Sequence, residues 1–266
     1  MFLNANYITT PLDPEIPKWP LFGSHWPMTT IIVVYLAFVL KSGRKFMENR
    51  EPYHLKNVIS VYNIFQVIYN SVFFGCCAYY LYIKPIYDRS CIISLTYDHP
   101  DKNIERLLFY AYFMNKLIDL LDTVFFVLRK SYKQITPLHL YHHVLMSYVV
   151  YWILRSYGFG GQYLTIGFLN SGVHAVMYFY YFISAQYPEL KGSIWWKKYI
   201  TKLQIGQFIL LLIQPIYVLL LKPGCKVPYF LHFLQILVGI SMITMFSKFY
   251  YTAYVKPRPQ KLIKQE

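Results

Sequence analysis

Three histidines within five residues, His139-Leu-Tyr-His142-His143, are the densest concentration of reactive side chains in this chain. On a helix, offsets of 0, 3 and 4 place all three imidazoles within an arc of about 100°. The preceding Thr136-Pro137 is a helix start, an N-cap side chain followed by proline at the first helical position. Two chemistries use imidazoles grouped this way: metal ligation, and covalent or acid–base work by a neutral ring whose pKa lies near cytosolic pH. A fourth histidine, His174, shares its segment with Asn170, Met177, Tyr178 and Tyr181. All of these but Asn170 fall within about 60° of it on a helix, and Asn170 lies one turn earlier on a neighbouring flank. A further segment carries Lys116, Asp119, Asp122 and Thr123 in a sector of about 120°. Lys116 and Asp119, at i and i+3, have the spacing of an ion pair, so part of this group has a purely structural reading. Thr201, Gln204 and Gln207, at i, i+3 and i+6, read either as substrate contacts or as hydrogen bonds between helices.

The segments around these residues set the environment. Of 266 residues, 56% are hydrophobic and only 14% charged, against about 25% charged in a soluble domain. Apolar residues come in blocks long enough to cross a bilayer, which takes roughly 20 residues. The blocks lie at about 27–41, 57–83, 105–128, 138–155, 161–184, 198–221 and 228–254. The fold class expected is all-α and integral to the membrane, with seven transmembrane helices in one domain over 1–266 and a short tail over 255–266. Inside such blocks an ionisable side chain costs about 2.5–3.5 kcal/mol on insertion scales, so each is a functional candidate. Arg106 and Lys248 lie nearer the block ends and read as snorkelling residues. No basic-then-apolar leader precedes residue 25, so no cleavable signal is expected.

The net charge of +14 does not point to nucleic acid, because the basic residues sit between the apolar blocks. One set of loops holds fifteen of them: Lys41, Arg44, Lys45, Arg50, Lys56, Arg129, Lys130, Lys133, Lys191, Lys197, Lys198, Lys256, Arg258, Lys261 and Lys264. The other set holds seven: Lys18, Lys84, Arg89, Lys102, Arg155, Lys222 and Lys226. The positive-inside rule then places the C-terminus in the cytosol and the N-terminus in the lumen. His25, His99 and His232 fall on the lumenal side by this topology, and the histidine triplet on the cytosolic side. Cys91 and Cys225 both fall in lumenal loops, where a disulfide persists once formed, whereas Cys76 and Cys77 lie within the second block. The ending KLIKQE is an imperfect dilysine retrieval signal.

His-x-x-His-His also occurs in membrane di-iron desaturases and hydroxylases, but those spread about eight histidine ligands over three boxes. Only His54 joins the central four from the cytosolic side here, so metal ligation is the second reading. A closer resemblance runs nearly end to end. WPLFGSHWPMT (19–29), GRKFMENREPYHLK (43–56), NKLIDLLDTVFFVLRK (115–130), QITPLHLYHH (134–143), NSGVHAVMYFYY (170–181) and TKLQIGQF (201–208) stand in the order seen in the ELO family. That family comprises the very-long-chain fatty acid elongases, the condensing enzymes of the endoplasmic reticulum.

The resemblance implies six helices enclosing a substrate tunnel and condensation of an acyl-CoA with malonyl-CoA to a 3-oxoacyl-CoA, with no cofactor. It implies His142 as the acyl-accepting nucleophile, His174 beside it, and His139 and His143 in support. Lys116, Asp119, Asp122, Asn170, Tyr178, Gln204 and Gln207 would hold the substrates, and Arg129, Lys130, Lys133, Lys197 and Lys198 the CoA phosphates. It implies partnership with the reductases and dehydratase of the elongation cycle, and it is compatible with a homo-oligomer. Chain length is expected to be set in the lumenal halves of spans six and seven. Asp119 departs from the family's usual Glu, Pro137 from a bulky apolar residue, and Lys248 from Asn. A seven-helix receptor or transporter is the remote alternative, on topology alone.

Overall fold

The computed structural model describes residues 13–88, 91–187, 194–225 and 227–256. The tail beyond 256 lies outside these residues, as do Arg89, Lys191, Lys226, Arg258, Lys261 and Lys264 of the charge comparison. The fold is all-helical, and the seven expected helices are present. The first runs Trp26–Ala37 and continues through a wider turn, Phe38–Ser42, into Gly43–Met47. The second is Lys56–Ala78, the fourth Pro137–Tyr157, the fifth Tyr163–Gln186, the sixth Ile194–Leu221 and the seventh Tyr229–Tyr250. Four of the seven are long and apolar enough to cross a membrane by length and composition alone, over Trp26–Met47, Lys56–Ile83, Trp195–Leu221 and Tyr229–Val255. Their outward faces keep Val33, Val34, Val61, Ile68, Ile213 and Leu237 exposed, as expected of surfaces that meet lipid rather than water.

The third helix departs from the continuous span expected. It is in two pieces, Lys102–Ile118 and Leu121–Leu128. At the junction the backbone tightens to three-residue bonds, Leu120 N to the Leu117 carbonyl at 3.2 Å and Asp122 N to the Asp119 carbonyl at 3.2 Å. Such a tightened turn re-aims the second piece relative to the first. Asp119 sits at this joint.

Helix packing makes a ring. The second helix packs along the fifth, the fifth on the sixth, the sixth on the seventh, the seventh on the fourth, the fourth on the third, and the third returns to the second. The first helix stands outside, against the fourth helix and the second piece of the third. Inside the ring is an apolar cavity with lining residues from five of its six helices, third to seventh, including Tyr112, Met146, Asn170, Phe208 and Val238. The second helix backs the fifth and lines none of it.

One end of the ring is closed by a bridge and by charge. Cys91 and Cys225 form a disulfide with Cα atoms 5.6 Å apart, tying the loop after the second helix to the loop after the sixth. Beside it Lys102 Nζ donates to Glu105 Oε2 (2.6 Å), Ser94 Oγ (2.9 Å) and the Phe159 carbonyl (3.0 Å). Tyr87 donates to Glu105 Oε1 at 2.6 Å. Arg106 does not snorkel. It is buried and grips Asp13 through Nε and Nη2, both at 2.8 Å. The expectation failed because its partner lies 93 residues earlier, beyond any local pattern. Burial alone would raise the Asp13 carboxyl, but the Arg106 hydrogen bonds and charge outweigh it and hold the group below the usual carboxylate range. Gly160 lies against this cluster with φ +123°, and a Cβ there would overlap the Glu105 carboxylate. Only glycine suits the position on both counts.

Candidate active site

The other half of the ring holds the histidines. Thr136 caps the fourth helix, its Oγ1 accepting from His139 N at 3.1 Å, with Pro137 opening the first turn. This start fixes the phase of the three imidazoles. The His139 and His143 rings lie 4.2 Å apart, and those of His142 and His143 5.7 Å. His142 faces Phe208 and Phe246 at 6.3 and 6.0 Å. Among the described residues its Nδ1 is buried with no hydrogen-bond partner. His139 is held differently: Thr123 Oγ1 bonds its Nε2 at 2.8 Å, and Tyr35 of the first helix bonds Thr123 at 2.7 Å.

Lys116 is the hub of the opposite wall. Its ammonium donates to Asp119 Oδ2 (2.7 Å), Asn170 Oδ1 (2.8 Å) and His174 Nδ1 (3.4 Å). An ammonium has three protons and no lone pair, so towards Lys116 the His174 Nδ1 can only accept, although Asp119 Oδ2 lies 3.6 Å from the same nitrogen. With the shorter contact made, the imidazole proton lies on Nε2. His174 and His142 are within electrostatic reach of each other. The Lys–Asp pair is therefore not only self-neutralising; it also orients an imidazole.

Asp119 reaches further than its missing methylene suggests, because it sits at the helix joint. Gln66 Nε2 donates to its Oδ1 at 2.9 Å, and the Tyr178 hydroxyl lies 3.1 Å from the same atom. Tyr178 also bonds Asp122 Oδ2 at 2.7 Å. Tyr62 lies 3.4 Å from Tyr178 and accepts from Gln66 at 3.1 Å, while Asn115 donates to Gln66 Oε1 at 3.1 Å. Gln66, Tyr62 and Asn115 were not among the sequence candidates. A signal existed: Asn63, Gln66 and Asn70 stand at i, i+3 and i+7 of the second helix, and all three are buried.

The remaining candidates separate. Asn170 and Gln207 line the apolar cavity. Gln204 donates to the Met177 sulfur at 3.5 Å, and Thr201 bonds the Lys197 carbonyl of its own helix at 2.9 Å. Arg129 and Lys133 are exposed, and Lys197 and Lys198 are half-buried at the start of the sixth helix. Lys130 turns towards the first helix, donating to the Glu48 carbonyl at 3.2 Å and lining a separate basic cleft with Arg44, Lys45, Glu48 and Tyr132. The sixth helix lines the cavity with Gln207, Phe208 and Leu211 and the seventh with Leu234 and Gln235 near its start, joined by Phe109, Ile153, Leu154 and Tyr163.

An imidazole cluster linked to an apolar cavity through the lining residues Phe208 and Asn170 fits an enzyme acting on a lipid chain, and comparison with known proteins narrows it. The model of the family described as "ELO: GNS1/SUR4 family" matches residues 20–262. The chain belongs to the ELO family. It is 42% identical over 251 residues to "Very long chain fatty acid elongase F" of Drosophila simulans, covering 93% of this chain and 94% of that one. It is 40% identical to the elongase F of Drosophila melanogaster, covering 93% and 95%. It is 36% identical to "Very long chain fatty acid elongase 4" of Homo sapiens, covering 94% of this chain and 78% of that one. As an ELO protein the chain is a multi-pass membrane protein and a condensing enzyme of fatty acid elongation, which sets aside the desaturase and receptor readings.

Proposed function

We propose that this elongase condenses an acyl-CoA with malonyl-CoA through an acyl-imidazole on His142. The observation that carries the reading is that two imidazoles are held differently: His142 Nδ1 is buried and unpartnered, whereas His174 Nδ1 lies against the Lys116 ammonium. One ring is left free to form a bond and the other is held as an Nε2–H donor.

In the first half-reaction a neutral His142 nitrogen attacks the thioester carbonyl, the C–S bond breaks, and CoA leaves as a thiol after taking a proton. The acyl chain lies in the apolar cavity, which excludes water from the acyl-imidazole. In the second, malonyl-CoA loses carbon dioxide, and the resulting enolate attacks the acyl carbon. The 3-oxoacyl-CoA leaves and His142 is regenerated. His174 Nε2–H donates to the oxyanion that develops on the thioester. Asn170, its oxygen taken by Lys116 and by Tyr112 at 3.2 Å, offers its amide protons to the substrate carbonyl. His139, tied to Thr123, and His143 orient His142 and carry its proton. No metal or redox cofactor enters this scheme. Arg129, Lys133, Lys197 and Lys198 meet CoA phosphates at the mouth.

The asymmetry of basic residues supports a cytosolic C-terminus and an N-terminus on the opposite side, and the resemblance to the elongases supports the endoplasmic reticulum as the membrane. The disulfide supports a lumenal location for the end that bears it. The product's new carbonyl has to be reduced and dehydrated to complete a cycle, so the partners proposed are a 3-oxoacyl-CoA reductase, a dehydratase and an enoyl reductase. The test is incorporation of labelled malonyl-CoA with a panel of acyl-CoAs, comparing wild type with His142→Ala in membranes. Label in 3-oxoacyl-CoA from wild type alone is the expected result; none from folded wild-type protein with any acyl-CoA overturns the reading.

A further inference from the structure

The closed end of the cavity is not purely apolar. Gln235 and Tyr163 both line it. Gln235 donates its Nε2 to the Leu211 carbonyl at 2.8 Å, while its Oε1 is buried without a partner. The good bond to Leu211 fixes the amide orientation, so the orphaned atom is the carbonyl oxygen. The Tyr163 hydroxyl and the neighbouring Gln162 Oε1 are likewise buried and unbonded; the two side chains lie close together without hydrogen-bond geometry. Behind them Gln162 Nε2 meets His232 Nδ1 at 3.4 Å, and Gln214 bonds the Gln162 carbonyl and Thr165, each at 3.3 Å. A fully apolar stop needs none of this, and buried polar atoms without partners call for an explanation.

We propose that the far end of the cavity receives a hydroxyl group carried on the acyl chain. This inference rests on the elongase reading and names a substrate class for the same site. The unpartnered atoms on residues that line the cavity are one amide carbonyl oxygen, of Gln235, and the Tyr163 phenol, a pair that complements a neutral group able both to donate and to accept. A terminal carboxylate is disfavoured, because the Gln235 oxygen would repel it and none of the cavity-lining residues is charged. Depth follows from helix geometry. Tyr163 precedes His174 by eleven positions on one helix, a descent of about 16 Å. An extended carbon chain advances about 1.25 Å per bond, so the hydroxyl lies roughly 13 carbons from the thioester. A site built to hydrogen-bond a hydroxyl discriminates strongly by its position, since a misplaced one is buried unpaired.

The experiment uses the full-length enzyme in membranes, with acyl-CoAs of about 10 to about 18 carbons supplied in pairs, plain and ω-hydroxylated. The ratio of kcat/KM within each pair is read. A maximum near 13 to 15 carbons is expected, about tenfold above the ratio two carbons away on either side. Gln235→Leu and Tyr163→Phe are expected to flatten that maximum, and a ratio taken within one preparation is independent of how much of it folds. A ratio with no maximum in wild type overturns the inference, and is also what ordered water on these atoms would give. Failure to elongate the plain chains would instead strike the elongase reading itself.

Discussion

The third helix carries the same device twice, and the two copies do different work. Lys102 and Glu105 pair at 2.6 Å, Lys116 and Asp119 at 2.7 Å, each with lysine three residues before the acid and each buried. Both lysines spend all three protons. At the disulfide end the bonds terminate on Ser94, the Phe159 carbonyl and Tyr87, groups with nothing further to do. In the middle of the bundle they terminate on His174 and Asn170, beside a cavity and within reach of a histidine with an unpartnered nitrogen. A buried ion pair by itself is weak evidence for either stability or function. Where its hydrogen bonds lead is what separates a closure from a site.

Substitutions can break this comparison. The largest effect on turnover belongs to His142→Ala, expected to lower kcat by about a thousandfold or more while the protein still elutes as a folded species in detergent. Lys116→Met comes next. It leaves Asp119 buried without its cation, so a loss of about 3–5 kcal/mol in stability accompanies a loss of roughly a hundredfold in activity. Asp119→Glu should restore the family's reach and stay within about threefold of wild type. At the other end, Glu105→Gln breaks a pair of the same kind. It should lower the thermal midpoint by a similar free energy, yet leave the activity of the protein that remains folded within about twofold. Equal activity losses from Glu105→Gln and Lys116→Met, per folded molecule, would erase the distinction. The smallest effect is expected from Tyr35→Phe, about threefold to tenfold in kcat through loosened His139 with little change in KM. An equal effect on KM would point to substrate contact instead.

Much of the central cluster is legible in the sequence. Polar side chains inside apolar blocks are costly enough to be noticed, and helical spacing says which share a face. His139, His142, His143 and the Thr136 cap follow from that logic, as do Lys116, Asp119 and Tyr178. The joint at Asp119–Leu120 was not legible, because no glycine or proline marks it and the tightening depends on tertiary packing. Gln66 was overlooked although its spacing from Asn63 and Asn70 announced a polar stripe. It was masked by the apolar average of its helix. The burial of Arg106 is not legible because its partner Asp13 lies in a segment without pattern of its own, nor is the basic cleft that Lys130 joins, because its backbone, at φ +52°, turns the chain towards the first helix. The depth and lining of the cavity depend on which helices meet across the ring, which no local pattern encodes.

The central claim is that His142 carries the acyl group. Incubating the enzyme with acyl-CoA in the absence of malonyl-CoA, quenching, and digesting for mass spectrometry tests it directly. The account predicts one acyl group of the expected mass on His142, released on adding malonyl-CoA and absent from His142→Ala. An acyl group on any other side chain, or turnover by His142→Ala at the wild-type rate, would contradict it.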